Sequence, residues 1–154
     1  MRALMLTFLL SGLFSQVLHS QIQVSGQRDL RFGTLFPGIP EVVLPTDGAR
    51  AGQYRIRGPG NMEIVMTLTL PAVMVGPGAA TMPLSYAAND AIYEPRGGGA
   101  PPPVAFDPTV QFINQLPNNG QARVHLGATV TPSFSQTAGD YLAAVVLTVA
   151  LTGN

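Results

Sequence analysis

The final stretch of this chain, residues 138–154, constrains its fold more than any other. Ala138-Gly139-Asp140 is a small-residue turn, and the run of about 12 residues after it alternates as a β-strand does. One face of this run carries Tyr141, Ala143, Val145, Leu147, Val149 and Leu151. At about 3.3 Å per residue the run would span roughly 40 Å as a strand, which is long for a β-strand. It is too short for a membrane helix, because such a helix needs about 20 apolar residues. The sequence therefore predicts a long terminal strand and a β-sandwich around it.

The beginning of the chain resembles a secretory signal. Arg2 gives a positive start, residues 4–13 are mostly apolar, and Leu18-His19-Ser20 is a plausible cleavage site. The alternatives are a buried helix or a membrane anchor, but Ser11 dilutes an already short apolar segment. We expect residues 1–20 to be a cleaved signal peptide and residues 21–154 to be a single domain. The expected location is the periplasm, the cell surface or the extracellular space, with no stable membrane span after cleavage.

Composition excludes several classes of function. The chain has no cysteine, which excludes zinc fingers, iron–sulfur clusters and thiol nucleophiles. Its eight basic residues are all arginine and are balanced by eight acids. Nucleic-acid binding normally needs a basic surplus on one face, so no nucleic-acid partner is expected.

Short alternating segments separated by turns indicate an all-β fold. Seventeen glycines and 14 prolines interrupt the chain too often for ordinary helices. We predict an immunoglobulin-like antiparallel β-sandwich of about 7–9 strands. Before the terminal run, strands are predicted at residues 28–35, 41–45, 53–57, 62–70, 82–88, 104–113 and 122–131, long loops at 71–80 and 94–103, and turns at 58–61 and, as a hairpin, 118–120. Residues 122–131 and 141–152 are expected to be antiparallel neighbours.

Three motifs resemble those of the bacterial DUF4402 family. They are the opening at residues 30–38 with Phe32-Gly33 and Pro37, the strand at residues 52–58, and the final strand that starts Ala138-Gly139-Asp140-Tyr141. The resemblance covers about residues 22–152. It implies an exported protein, similar in outline to spore-coat-U-like proteins and to pilins of the chaperone–usher class, which are immunoglobulin-like sandwiches. Unlike many pilins, this chain has no disulfide and no penultimate tyrosine.

The segment after the expected cleavage site has the pattern of a donor strand. Pilins accept a missing strand from the next subunit's N-terminal extension, and residues 21–26 alternate polar and apolar side chains. Ile22 and Val24 are the candidate strand-exchange residues. The same segment is also compatible with the sandwich's own first strand, or with a disordered lead-in.

No pattern of catalytic or metal-binding residues stands out. His125, the one histidine after residue 20, is expected to be exposed on a strand, and no Gly-x-Ser-x-Gly motif accompanies it. The acids are scattered singly, so no metal site, cofactor site or catalytic residue is assigned. Tyr141 is expected to hydrogen-bond to a neighbouring loop. Tyr86 and Tyr93 are a candidate sugar platform, weakened by the absence of tryptophan.

Two arginines on one strand leave two alternatives open. Arg55 and Arg57 are two residues apart and therefore share a face. They are either a solvated surface or a contact for an anionic sugar or a lipid headgroup.

The sequence thus favours a non-enzymatic exported structural or cell-surface protein. The leading hypothesis is a pilin-like subunit that assembles by β-strand addition, with itself or with other surface subunits as partner. The alternative is a monomeric periplasmic or extracellular binding module that uses the loops at residues 71–80 and 94–103.

Overall fold

The computed structural model describes residues 21–153 and is built almost entirely of β-strands. One short 3-10 turn, Pro77–Ala79, is its only helical segment among those residues. No helix in the described part is long and apolar enough to cross a membrane. The expected signal peptide, residues 1–20, lies outside the described residues. The strands are β1 Gln23–Arg28, β2 Glu41–Val43, β3 Gly52–Arg57, β4 Glu63–Thr69, β5 Val73–Val75, β6 Thr81–Ser85, β7 Ala91–Pro95, β8 Val104–Phe106, β9 Phe112–Gln115, β10 Gln121–Leu126, β11 Ala128–Val130 and β12 Val146–Leu151.

These strands form three antiparallel sheets, which confirms the predicted all-β fold. The sheet orders are β1-β3-β10-β7-β8, β2-β11-β6-β5 and β12-β4-β9. Twelve strands stand where seven to nine were expected, because glycines and prolines divide longer runs into short pieces. The predicted strand at residues 104–113, for example, becomes β8 and β9, which belong to different sheets.

The run from residue 121 to residue 130 connects the two larger sheets. Its first part, β10, pairs with β3 and β7, and its second part, β11, pairs with β2 and β6. Gly127 lies at the crossing, where its N–H donates to the Asp90 carbonyl oxygen at 2.7 Å. A Cβ at this position would overlap the Val43 carbonyl oxygen and crowd Pro45, so the crossing requires glycine.

The main hydrophobic core lies between the five-stranded and three-stranded sheets. Ile56, Val124 and Tyr93 from the first sheet pack with Ile64 and Met66 from the second, and all five are buried. Burying a large apolar side chain contributes about 1.5–3 kcal/mol, so this layer is the main source of stability. A smaller core under the four-stranded sheet contains Met74, Met82 and Val130.

The predicted strand at residues 28–35 is wrong. Regular pairing ends at Arg28, and no strand forms before β2 at Glu41. Gly33 adopts a positive φ of 77°, which breaks an extended strand. Phe32 and Leu35 instead pack against the smaller core, so their apolar spacing reflects burial by a loop.

The long terminal strand is shorter than predicted and has a different neighbour. Leu142 forms an isolated bridge with Val75, and regular pairing starts only at Val146. β12 then pairs with β4 over its whole length, whereas residues 122–130 pair with other strands. Residues 141–152 therefore contact two sheets, through Leu142 at β5 and through β12 at β4. The alternation of apolar residues in the sequence does not show this division.

The turn at residues 118–120 forms but does not make a hairpin. Gly120 has φ of 67°, and its N–H donates to the Pro117 carbonyl oxygen at 2.8 Å. The flanking strands β9 and β10 lie in different sheets, so the turn carries the chain across the sandwich. The Asn119-Gly120 pair predicts that the chain turns here. It does not predict that the next strand, β10, pairs with β3 and β7.

Asp47 anchors the connection between β2 and β3. Its Oδ1 accepts hydrogen bonds from the N–H groups of Ala49 at 2.9 Å and Arg50 at 3.0 Å. Its Oδ2 accepts from Arg50 Nε at 2.8 Å, and the same guanidinium contacts Glu41. The hydrogen bond from the Arg50 side chain, followed by the two backbone hydrogen bonds, lowers the pKa of Asp47 to about 2.

We predict that Gly127→Ala destabilises the fold. The added methyl group meets backbone atoms that cannot move aside, so the free energy of unfolding should fall by about 1–3 kcal/mol. Urea unfolding monitored by circular dichroism measures the loss. Gly98→Ala is the matched control because open space surrounds Gly98, and its effect should stay within about 0.5 kcal/mol. Equal losses in the two variants would contradict the role of the crossing.

Asp47 should also give the fold a measurable acid sensitivity. Because its pKa is lowered on folding, its stabilising contribution is complete above the ordinary value of 3.8 and disappears as the pH falls towards about 2. Asp47→Asn should therefore melt below the wild type at neutral pH, and this difference should close between those two pH values. Asp29→Asn, in an exposed ion pair at 3.7 Å, is the control and should show no such convergence. A pH-independent difference for Asp47→Asn would refute the assignment.

Candidate strand-exchange site

β1, at one edge of the five-stranded sheet, contains residues 23–26 of the predicted exchange segment, and Gln21 and Ile22 come directly before it. Among residues 21–153 it pairs antiparallel with β3 alone, with Val24 opposite Ile56 and Ser25 opposite Arg55. The segment is thus an ordered strand of this chain. The alternative of a disordered lead-in is wrong for residues 23–28, and exchange between copies stays a prediction.

The two faces of β1 differ as the alternation predicts. Val24 is on the inner face, opposite the fully buried Ile56. It remains 37% exposed because β1 is the edge strand and no described strand lies beyond it. Ile22 just before the strand is half-buried and packs against the main core. A Cβ added at Gly58 would lie 3.2 Å from Ile22 Cγ1, so Gly58 leaves room for this side chain.

Little side-chain burial holds β1 in place. Five of its six residues are exposed, and only Arg28 is half-buried. Arg28 fixes the end of the strand, since Nε donates to the Ala51 carbonyl oxygen at 2.7 Å and Nη1 to that of Gly48. Residues 23–26 therefore depend mainly on backbone pairing, whose net contribution is about 0.5–1.5 kcal/mol per hydrogen bond.

The connection after β1 suits an exchanged strand. A bulge between Gly26 and Arg28 shifts the register, and residues 29–40 form no regular strand before β2. These twelve residues take part in no strand pairing, so moving β1 breaks no other strand pair, while Phe32 and Leu35 hold the middle of the segment against the smaller core. A second copy's β1 would meet the same β3 backbone in the same register.

A second unpaired edge lies next to β1. Within the described part of the chain, β12 is hydrogen-bonded only to β4, and no described strand pairs with its other side. Between the two edges is a shallow depression of about 310 Å³, lined by Gln21, Ile22, Val149, Ala150 and Leu151. The side chain of Ile22 thus lies at the seam where two sheets approach without pairing. Unpaired edges of this kind are templates for strand addition.

His125 is less exposed than predicted and belongs to a small polar cluster. Its Nε2 lies 3.0 Å from Glu94 Oε2, while Arg96 Nη1 donates to Glu94 Oε1 at 2.8 Å. Burial opposes ionisation of Glu94, but the hydrogen bonds from His125 and Arg96 outweigh it and lower the pKa of that carboxyl. No serine hydroxyl hydrogen-bonds to His125 within residues 21–153, so the cluster lacks a triad's geometry.

The tyrosines have structural roles, and the predicted sugar platform is wrong. Tyr93 is fully buried, donates to the Gln115 carbonyl oxygen at 3.0 Å, and has its pKa raised by burial to about 12. Tyr86 is half-buried and donates to the Pro71 carbonyl oxygen. The prediction for Tyr141 is confirmed, because its hydroxyl donates to the Thr137 carbonyl oxygen at 2.8 Å.

The two predicted loops differ from each other. Residues 71–80 contain β5 and the 3-10 turn, and β5 pairs with β6, so this segment is largely part of a sheet. Residues 96–103 have no strand and most of them are exposed. Asn119 packs against Gly97 at the start of this second loop. Only the second segment is an exposed loop without a strand.

The described residues contain no cluster of side chains typical of a metal site. No three His, Cys, Asp or Glu side chains come together between residues 21 and 153. No protein-family model matches the chain, and no curated protein matches it either. The edge strands and the charges beside them are therefore the features of the described residues that bear on function.

One charged feature escapes sequence reasoning. Arg123 on β10 lies directly opposite Arg55 on β3. The spacing of Arg55 and Arg57 indicates a shared face, but only the pairing of two distant strands brings the third arginine beside them. No local signal in the sequence encodes this register.

Proposed function

We propose that this chain is a non-enzymatic exported structural or cell-surface subunit that assembles by β-strand addition through residues 21–28. The partner is a second copy of the chain or another surface subunit. In this mechanism the β1 segment of one subunit pairs with β3 of the next, and Ile22 and Val24 fill the inner face of the accepting edge.

One observation carries the proposal: β1 is an edge strand held mainly by its backbone. It has a single neighbouring strand among the described residues, largely exposed side chains and a long irregular connection to β2. Exchange would preserve every β1–β3 hydrogen bond, so its free-energy difference from the closed monomer is small. A high local concentration of subunits then favours assembly.

The remaining parts of the proposal depend on the sequence. The signal-like pattern at residues 1–20 supports export, and the three ordered motifs support membership of the DUF4402 family. The absence of a triad or metal cluster among the described residues is compatible with a structural role. These arguments are independent of whether the partner is a copy or another protein.

A monomeric binding module is the second candidate. The intramolecular pairing of β1 with β3 favours it, because the sheet is complete without a partner. Recognition would then use the exposed residues 96–103, which a rigid sandwich presents at its surface. The two candidates differ in oligomeric state.

Substitutions on the inner face of β1 test strand addition. In the mature chain, Ile22→Asp/Val24→Asp places two charges where the accepting edge is apolar, so multimers seen by light scattering after size-exclusion chromatography should disappear. Gln23→Asp/Ser25→Asp is the matched control. It adds the same charges to the outer face, opposite Arg57 and Arg55, and should leave assembly intact.

A cross-link distinguishes exchange from other contacts between copies. The chain has no cysteine, so Ser25→Cys/Arg55→Cys introduces the only two thiols, at directly paired positions. Exchange predicts a ladder of covalent multimers on non-reducing gels, whereas either single variant can reach only a dimer. Oxidation to a single monomer band, or multimers that persist in Ile22→Asp/Val24→Asp, would refute the mechanism and leave the binding module.

A further inference from the structure

The outer face of the five-stranded sheet carries a cluster of three arginines. Arg55 and Arg57 lie on β3 and Arg123 lies on β10, directly opposite Arg55. Their inward neighbours Ile56 and Val124 are buried in the core, so the three side chains share the opposite, outer face. Cross-strand neighbours are about 4.5–5.5 Å apart and alternate residues of one strand about 6.6 Å apart, which places the three guanidinium groups within mutual reach.

These three arginines have no acidic partner in residues 21–153. The other arginines there have a carboxylate or carbonyl partner: Arg28 binds carbonyl oxygens, and Arg31, Arg50 and Arg96 each pair with a carboxylate. Glu94 lies opposite Arg123 on β7, but its two oxygens are engaged by Arg96 and His125. Positive charge is therefore concentrated in the cluster although residues 21–154 carry eight acids and seven arginines.

The local arrangement opposes the stability of the isolated sheet. Like charges directly across an antiparallel pair repel each other, and Arg55 faces Arg123 in this way. An anion bound between them removes the repulsion and accepts hydrogen bonds from both. Guanidinium groups present paired N–H donors that fit carboxylate and sulfate oxygens.

The surroundings of the cluster indicate an extended polar ligand. The outer-face neighbours along β1, β3 and β10 are polar: Gln23, Ser25, Gln53, Gln121 and His125. Their amides and hydroxyl suit sugar hydroxyl groups. On the outer face of these three strands no exposed apolar side chain accompanies the arginines, since the 37% exposed Val24 of β1 is on the inner face. An open depression of about 480 Å³ extends from Arg55 and Arg57 over β1, where Gln23 and Ser25 line it together with the apolar Ile22 and Val24.

We propose that Arg55, Arg57 and Arg123 form a binding site for an anionic polysaccharide. The acidic groups of the ligand, carboxylate or sulfate, would pair with the three guanidinium groups, and its hydroxyl groups would contact the glutamine side chains. The site is carried by β3 and β10, so it does not depend on whether β1 comes from the same chain or from another subunit. It is thus separate from the strand-exchange proposal.

Affinity electrophoresis of the mature chain through gels containing polygalacturonate tests this site, with heparin as the sulfated probe and dextran as the neutral one. Wild-type protein should be retarded by at least one of the anionic polymers and not by dextran. Arg55→Gln/Arg57→Gln/Arg123→Gln should weaken binding by about tenfold or more, and retardation should fall with rising salt. Arg57→Gln alone, at an exposed position, should weaken binding in a protein whose thermal melt matches the wild type.

Arg31→Gln is the matched control, because it removes one exposed arginine from outside the cluster and should change binding less than twofold. Absence of retardation by both anionic polymers at low salt would overturn the proposal. Equal losses in Arg31→Gln and Arg57→Gln would also overturn it, since net charge would then explain the binding. Tighter binding to phosphatidylserine vesicles or to single-stranded DNA than to either polysaccharide would refute the assigned ligand class.

Discussion

The fold depends on one strand that belongs to two sheets. Residues 121–130 pair with four other strands, and every second side chain from Ala122 to Val130 is buried. This alternation continues through Gly127, so the same face of the chain supplies the core on both sides of the crossing. Because a Cβ at Gly127 would overlap the backbone of β2, the connection between the sheets depends on a single missing methyl group. Both candidate sites are arranged around this strand, since β10 holds β3 in place and β3 holds β1.

Stability and function are distributed unequally across the five-stranded sheet. Its inner face is closed by the main core, which fixes β3 and β10 through Ile56 and Val124. Its outer face and its β1 edge contribute little apolar burial, so changes there affect stability weakly. Edge pairing and surface charge can therefore be used for contacts with other molecules while the core keeps the sheet in register. This separation explains how one small domain can present both an edge strand and a cationic face.

The sequence predicts the local structure of the strands and turns better than it predicts which strands pair with each other. The bounds of β2, β3 and β4 follow from alternation and from the turns beside them, and the hydrogen bond of Tyr141 follows from its position near a late strand. Alternation also places Ile22 and Val24 on one face. It fails where one run serves two sheets, as in residues 141–152, and where loop residues such as Phe32 fill a core. Register between distant strands decides these cases, and no local pattern contains it. For the same reason, the sequence does not predict that Arg55 and Arg123 face each other on neighbouring strands.

The two proposed contacts would reinforce each other. A subunit joined to the next through β1 keeps the outer face of β3 and β10 exposed, so each added subunit repeats the arginine cluster along the assembly. A polysaccharide with regularly spaced acidic groups then binds several clusters at once, and the second and later contacts are intramolecular. Such multivalency converts weak single-site binding into tight attachment without any new contact in the subunit.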